Sequence, residues 1–205
     1  MIAFRFVPLL AATLVACTAP DRAATATAVR DTAVTARPGR IVDSILPIEE
    51  HLRRFRTGLA AVDSLQHGAA SERALVEAFL AATVARDSVA LGNLLLSRGE
   101  YAWLYYPAHA YSRPPYELDP GSFWTLIQGN GAKGFARLLR EYGGRRLGYV
   151  THGCKPSDAV QAPVREWNQC EVGLTVDGAE TVKRMFGSIV EIGGRYKFVS
   201  YANDL

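Results

Sequence analysis

The chain has 205 residues and a mass of 22.3 kDa, room for one sizeable domain and little for a second. Its 49% hydrophobic and 21% charged content excludes wholesale disorder, and Lys plus Arg at 23 against Asp plus Glu at 20 gives a net charge of only +3. The longest apolar run, Phe6 to Cys17, is too short for a spanning helix, which argues against a multi-pass membrane protein.

Residues 1–16 read MIAFRFVPLLAATLVA. One basic residue, Arg5, precedes an apolar stretch interrupted only by Pro8 and Thr13, and small residues follow. That is the pattern of a secretory signal. Its end, Leu14-Val15-Ala16-Cys17, resembles the bacterial lipoprotein box. The resemblance implies cleavage before Cys17 and acylation of that cysteine, with the lipid bilayer as the partner of the mature amino terminus. A single acyl chain binds a bilayer only marginally, at about 0.8 kcal/mol per buried methylene, so anchoring needs the two or three chains that the lipoprotein pattern supplies. Thr18 stands where lipoproteins of double-membrane bacteria carry an inner-membrane retention Asp. The resemblance therefore implies an outer-membrane anchor facing the periplasm. The plain alternative is a signal peptide in which Cys17 is incidental.

Residues 17–42 are expected to form a tether. Over 18–40, twelve of 23 residues are Ala or Thr, none is aromatic, and no apolar stripe recurs at helical spacing. The domain is expected over 43–205. Asp43 or Ser44 is placed to cap a first helix whose apolar face carries Ile48, Leu52, Phe55, Leu59 and Val62, ending near Gly68. Ser71 is placed to cap a second helix with Leu75, Val76, Phe79, Leu80 and Val84 inward. Asp87 starts a third, through about Leu96.

Residues 101–124 hold eight of the chain's 20 aromatic residues. Pro107, Pro114, Pro115 and Pro120 punctuate them, so much of this stretch is expected as loop. Asp119-Pro120 predicts a cap with proline at the first helical position. Helical patterning then runs from Phe123 to Tyr142, with a break expected at Gly129 to Gly134, and Gly143-Gly144 ends it.

Four strands are expected after that, near 145–154, 167–176, 181–192 and 195–201. Asp177-Gly178 and Gly193-Gly194 supply hairpin turns. The sum is an α+β domain: N-terminal helices packed on a C-terminal antiparallel meander of about four strands. The element order over roughly 68–203, with the closing FGSIVEIGGRYKFVSYAND, resembles the nuclear transport factor 2-like group, also called cystatin-like or SnoaL-like. That resemblance implies a cone-like fold around a cavity.

Export implies an oxidising compartment, and with Cys17 lipidated only Cys154 and Cys170 remain as thiols. A disulfide between them is expected across the first two strands. That register sets His152 opposite Val172, Val150 opposite Leu174 and Gly148 opposite Val176. The alternative is two reduced, unrelated cysteines.

Chemical motifs are sparse. Gly129-Asn130-Gly131-Ala132-Lys133-Gly134 matches GxGxxG literally, but no strand precedes it, and a helix-breaking turn is the better reading. No P-loop, HExxH, GxSxG or EF-hand loop is present, and His51, His67, His109 and His152 show no metal spacing. No cofactor or metal is expected. The candidate pocket residues are Trp103, Tyr105, Tyr106 and Trp124 from the aromatic stretch, with His152, Arg184 and Tyr201 from the strands. Each has an ordinary structural alternative: core closure for the aromatics, a satisfied buried histidine, an arginine reaching to solvent. Arg184 and Ser188 share an expected strand face with Val182, Phe186, Val190 and Ile192.

The expected function is a membrane-anchored envelope lipoprotein whose domain binds a small apolar ligand or an envelope protein partner without catalysis. The alternative is a ketosteroid-isomerase-like enzyme acting on a small apolar substrate. That chemistry needs an inward carboxylate, and Glu171 and Glu191 fall on the opposite parity from the apolar strand faces. Nucleic acid is not an expected partner: removing Arg5 with the signal leaves 22 basic against 20 acidic residues.

Overall fold

The computed structural model describes residues 46–205. The expected signal segment, Cys17, the tether and the cap at Asp43 or Ser44 lie outside the described residues. Helix α1, Ile48–Phe55, starts after Pro47 and buries Ile48 and Phe55. It is shorter than its apolar stripe predicts. Gly58, at φ +80°, turns the chain, and Leu59 and Val62 lie beyond the helix. A stripe of the right period thus overran a turn placed ten residues before Gly68.

Helix α2, Glu72–Ala85, begins where its cap predicts, with the Ser71 hydroxyl accepting from Ala74 N at 3.1 Å. Helix α3, Ser88–Asn93, has Asp87 Oδ1 accepting from Val89 N and Ala90 N. The aromatic stretch departs from expectation. One helical turn, α4 at Arg98–Glu100, runs on into a π-helical turn over Tyr101–Tyr105 and 3-10 turns at Tyr106–Ala108 and Ala110–Ser112. Pro107 fits because it sits in the first turn of a short 3-10 segment, where its missing N–H leaves no bond unmade.

Helix α5, Pro120–Glu141, is capped by Asp119 and opens with Pro120, as predicted. It is not broken at Gly129–Gly134 but passes straight through. The glycines are there for approach, not for a turn: Gly131 and Gly134 lie against the Ser200–Tyr201 backbone.

The sheet follows as β1 (Leu147–Pro156), β2 (Arg165–Val176), β3 (Ala179–Lys183), β4 (Ile189–Ile192) and β5 (Arg195–Phe198). All pairings are antiparallel, in the order β1-β2-β4-β5, with β3 also on β2. The α+β class and the meander stand, and the sheet is open, not closed into a barrel. The third expected strand is two strands: β3 pairs with the end of β2 and β4 with its beginning. The segment 184–188 between them is not a strand, so Arg184 and Ser188 do not share a strand face with Val190.

Two apolar clusters clasp the sheet. Leu75, Val76 and Phe79 of α2 pack with Cys170, Val172, Leu174, Ile189 and Phe198. On the other side, Tyr101, Tyr105, Phe123 and Ile127 pack with Val190, Ile192 and Val199. The β4–β5 half is therefore covered on both faces. The β1–β3 half keeps one open face, where Val150 and Val182 are exposed.

Cys154 and Cys170 stand at disulfide distance, with 2.04 Å between the sulfurs. His152 lies opposite Val172 as expected, but Tyr149, not Val150, faces Leu174, and Leu147, not Gly148, faces Val176. Val150 is the extra residue of a bulge, which shifts the register by one. The intervening segment is 15 residues, so replacing both cysteines with serine is expected to cost about 3 kcal/mol in the chain-entropy description. Urea unfolding of oxidised wild type against the double variant measures it; coincident curves would mean that the pair staples nothing.

Candidate functional site

The aromatic stretch is held by its own polar tips. The Tyr101 hydroxyl donates to Pro120 O at 2.9 Å and the Tyr106 hydroxyl to Leu118 O at 2.6 Å, tying the π-helical turn to the start of α5 and the first 3-10 turn to the segment just before it. The β1–β2 connection is laced to the 3-10 turns by Ala110 N to Ala159 O at 2.7 Å and Gln161 N to Ala108 O at 3.0 Å. Between these elements and the starts of β2 and β4 lies a cavity of about 610 Å³.

One wall is a row of rings. His109 has Tyr105, Tyr111 and Phe123 with ring centres at 5.4, 4.7 and 4.8 Å, and Tyr116 extends the row 5.6 Å from Tyr111. The facing wall carries Glu166, Ser188, Ala159 and Val199, with Asp158 exposed. Glu166 reaches this side because β2 is bulged. Gly153 pairs with Glu171 but Lys155 with Asn168, so Cys154 faces two residues, Gln169 and Cys170. The extra residue inverts the alternation. Cys170 therefore points to the α2 side and Glu166 to the aromatic side.

Glu166 is 7% exposed and accepts from the Tyr105 hydroxyl at 3.2 Å. Burial raises its pKa above the ordinary carboxyl value, while hydrogen bonds from Ser188 and Tyr105 act the other way. Burial and the neighbouring Glu166 push the Tyr105 phenol well above its ordinary value, so it stays a donor. His109 is lowered to about 4 by burial and by Arg113, and is neutral at physiological pH. Its Nδ1 accepts from Tyr111 N at 3.1 Å, which leaves the proton on Nε2.

Because Glu166 holds its proton more tightly folded than unfolded, stability falls as pH rises from about 4.5 toward its raised value. Glu166→Gln should remove that loss. Relative to wild type, the variant gains stability between pH 4 and pH 7 in urea unfolding; an equal difference at both would contradict the shift.

Of the sequence-selected pocket residues only Tyr105 lines this cavity. Trp124 packs on Tyr101 at 4.9 Å and Trp103 lies under Arg56 at 4.0 Å, while Tyr106 is buried. His152 sits on the opposite side of the sheet, bonded to the Tyr149 hydroxyl at 2.9 Å and to Glu72 at 3.3 Å. The bulge at Val150 puts Tyr149 and His152 on one face. Arg184 pairs with Glu171 at 3.2 Å near a cleft on the open face, and the Tyr201 hydroxyl donates to Leu91 O at 2.7 Å. Glu171 is exposed as its parity predicts, but Glu191 is buried and bonded to Arg165. Sequence reasoning missed Glu166, which lies one residue outside the expected strand. The described residues contain no cluster of metal-ligating side chains and no helix long and apolar enough to cross a membrane.

Comparison with known proteins finds no matching family model, no matching curated protein and no matching solved structure.

Proposed function

We propose that this chain is an exported lipoprotein, held to the cell envelope through acylated Cys17, whose domain binds a small molecule in the Tyr105–Glu166 cavity. The observation that supports it is a buried carboxyl opening onto an aromatic-walled cavity of about 610 Å³, the size expected of a small-ligand site. The lipoprotein box supports the anchor. The open sheet face offers less to a protein partner: of its exposed valines, Val182 sits among Glu171, Arg184 and Lys155, and Val150 near Glu180.

A second reading has a specific observation behind it. A carboxyl of raised pKa beside a phenol is the equipment for moving a proton at a carbon next to a carbonyl, the ketosteroid-isomerase-like alternative. Its geometry is against it, because Tyr105 donates to Glu166 itself and not to a place where a substrate oxygen would sit.

The test is a thermal-shift screen of small aromatic, alicyclic and amine compounds against wild type and Ala159→Trp, which fills the cavity from its wall. Hits that stabilise wild type and not the variant support the reading. Hits that stabilise both equally, or a screen without hits, would overturn it.

A further inference from the structure

The described part of the chain has three buried glutamates. Glu100 is paired with Lys197 at 2.9 Å, and Glu191 with Arg165 at 2.6 Å. Glu166 has a tyrosine and a serine beside it, and no basic side chain among the described residues pairs with it. A buried carboxyl without a cation is costly to ionise, and elsewhere this fold supplies the cation. At Glu166 a countercharge could come only through the cavity, since that is where the side chain opens, and without one the carboxyl keeps its proton.

The opposite wall suits such a visitor. Tyr111 is flanked by Phe123 at 4.9 Å and Tyr116 at 5.6 Å, and these rings line the same cavity. Ring faces carry negative electrostatic potential and attract cations, most strongly where water is displaced. Among the described residues no lysine or arginine lines the cavity, and Asp158 adds a second carboxylate to its lining. Arg113, the nearby base, acts on His109 and is not part of the lining. A metal ion fits poorly, because among the described residues no three His, Cys, Asp or Glu side chains converge.

We propose that the Tyr105–Glu166 cavity takes an organic cation, a quaternary or alkylated ammonium group seated between Glu166 and the Tyr111–Tyr116 ring wall. This rests on the small-ligand reading above and names its ligand class.

The probes are choline and 3,3-dimethylbutan-1-ol, which share a shape and differ by one charge. Both are titrated calorimetrically into the full chain near neutral pH. Choline is expected to bind about tenfold tighter than the neutral alcohol. Glu166→Gln should cut that preference several-fold. Asp158→Asn, at an exposed position where folding is not at risk, should weaken choline several-fold and leave the alcohol unchanged, which keeps the test decisive if the Glu166 variant does not fold. Equal binding of the two probes would overturn the charge assignment while leaving a small-ligand cavity intact. Binding of neither probe would also overturn it, and the library screen would then decide the broader reading separately.

Discussion

Lys197→Met should lower the unfolding free energy by about 3–5 kcal/mol, the cost of leaving a buried charge without its partner. Glu100 has no exposed surface, and Lys197 only 2%. The ammonium donates to both Glu100 oxygens, at 3.1 and 2.9 Å. The same carboxylate accepts from Gln66 N at 2.6 Å and from Ser97 N at 2.7 Å. One carboxylate therefore joins β5, the turn that launches the aromatic stretch and the connection before α2. Removing the ammonium leaves two backbone donors in place but strips Glu100 of its countercharge. Lys197→Met/Glu100→Gln should recover part of the loss, because a neutral amide oxygen still accepts from the backbone. Urea unfolding of the three proteins measures this. A single variant within about 1 kcal/mol of wild type would show that the pair is not a structural staple.

Gly134→Ala should be about as damaging, at roughly 3 kcal/mol or loss of the fold. A Cβ at Gly134 would collide with the Tyr201 backbone carbonyl, which cannot rotate away as a side chain can. Asn203 Nδ2 also donates to Gly134 O at 2.9 Å, so the helix cannot slide off the carboxy-terminal segment without losing that bond. Gly129, five residues earlier, meets nothing within 4 Å among the described residues. Gly129→Ala should therefore stabilise the domain by about 1 kcal/mol through helix propensity alone. Opposite signs for two glycine-to-alanine changes in one helix distinguish close packing from backbone freedom. Two destabilising results would indicate that α5 needs glycine for flexibility.

What the sequence made legible was local. Ser71, Asp87 and Asp119 each satisfy orphan N–H groups within three residues of themselves, so their helices begin where the caps stand. Asp177-Gly178 and Gly193-Gly194 take positive φ at both positions or at both glycines, and hairpins form there. The cysteine pairing followed from there being two thiols on neighbouring strands. What was not legible depends on distant partners. The aromatic stretch is helical because Tyr101 and Tyr106 find carbonyls near α5, bonds that no local pattern announces. The GxGxxG stretch stays helical with the irregular Ser200–Tyr201 segment after β5 filling the groove that Gly131 and Gly134 leave.

The site itself turned on one residue. Without the extra residue at Gln169, Glu166 would share parity with Cys170 and point toward α2. Gln169 adopts φ +50°, a conformation uncommon for a side chain of its kind, and nothing in its identity signals that. Tyr105 was selectable from aromatic density, but its neighbours in the density, Trp103, Tyr106 and Trp124, serve packing. Density marked the element and did not separate the ring that faces the cavity from those that close the core.

Native mass spectrometry of the protein released from its own membranes tests the account most directly. An acylated mature chain carrying a noncovalent small-molecule adduct is expected, with loss of that adduct from the Ala159→Trp variant and the acyl mass unchanged. An adduct retained equally by the variant, or a bare wild-type chain, would contradict it.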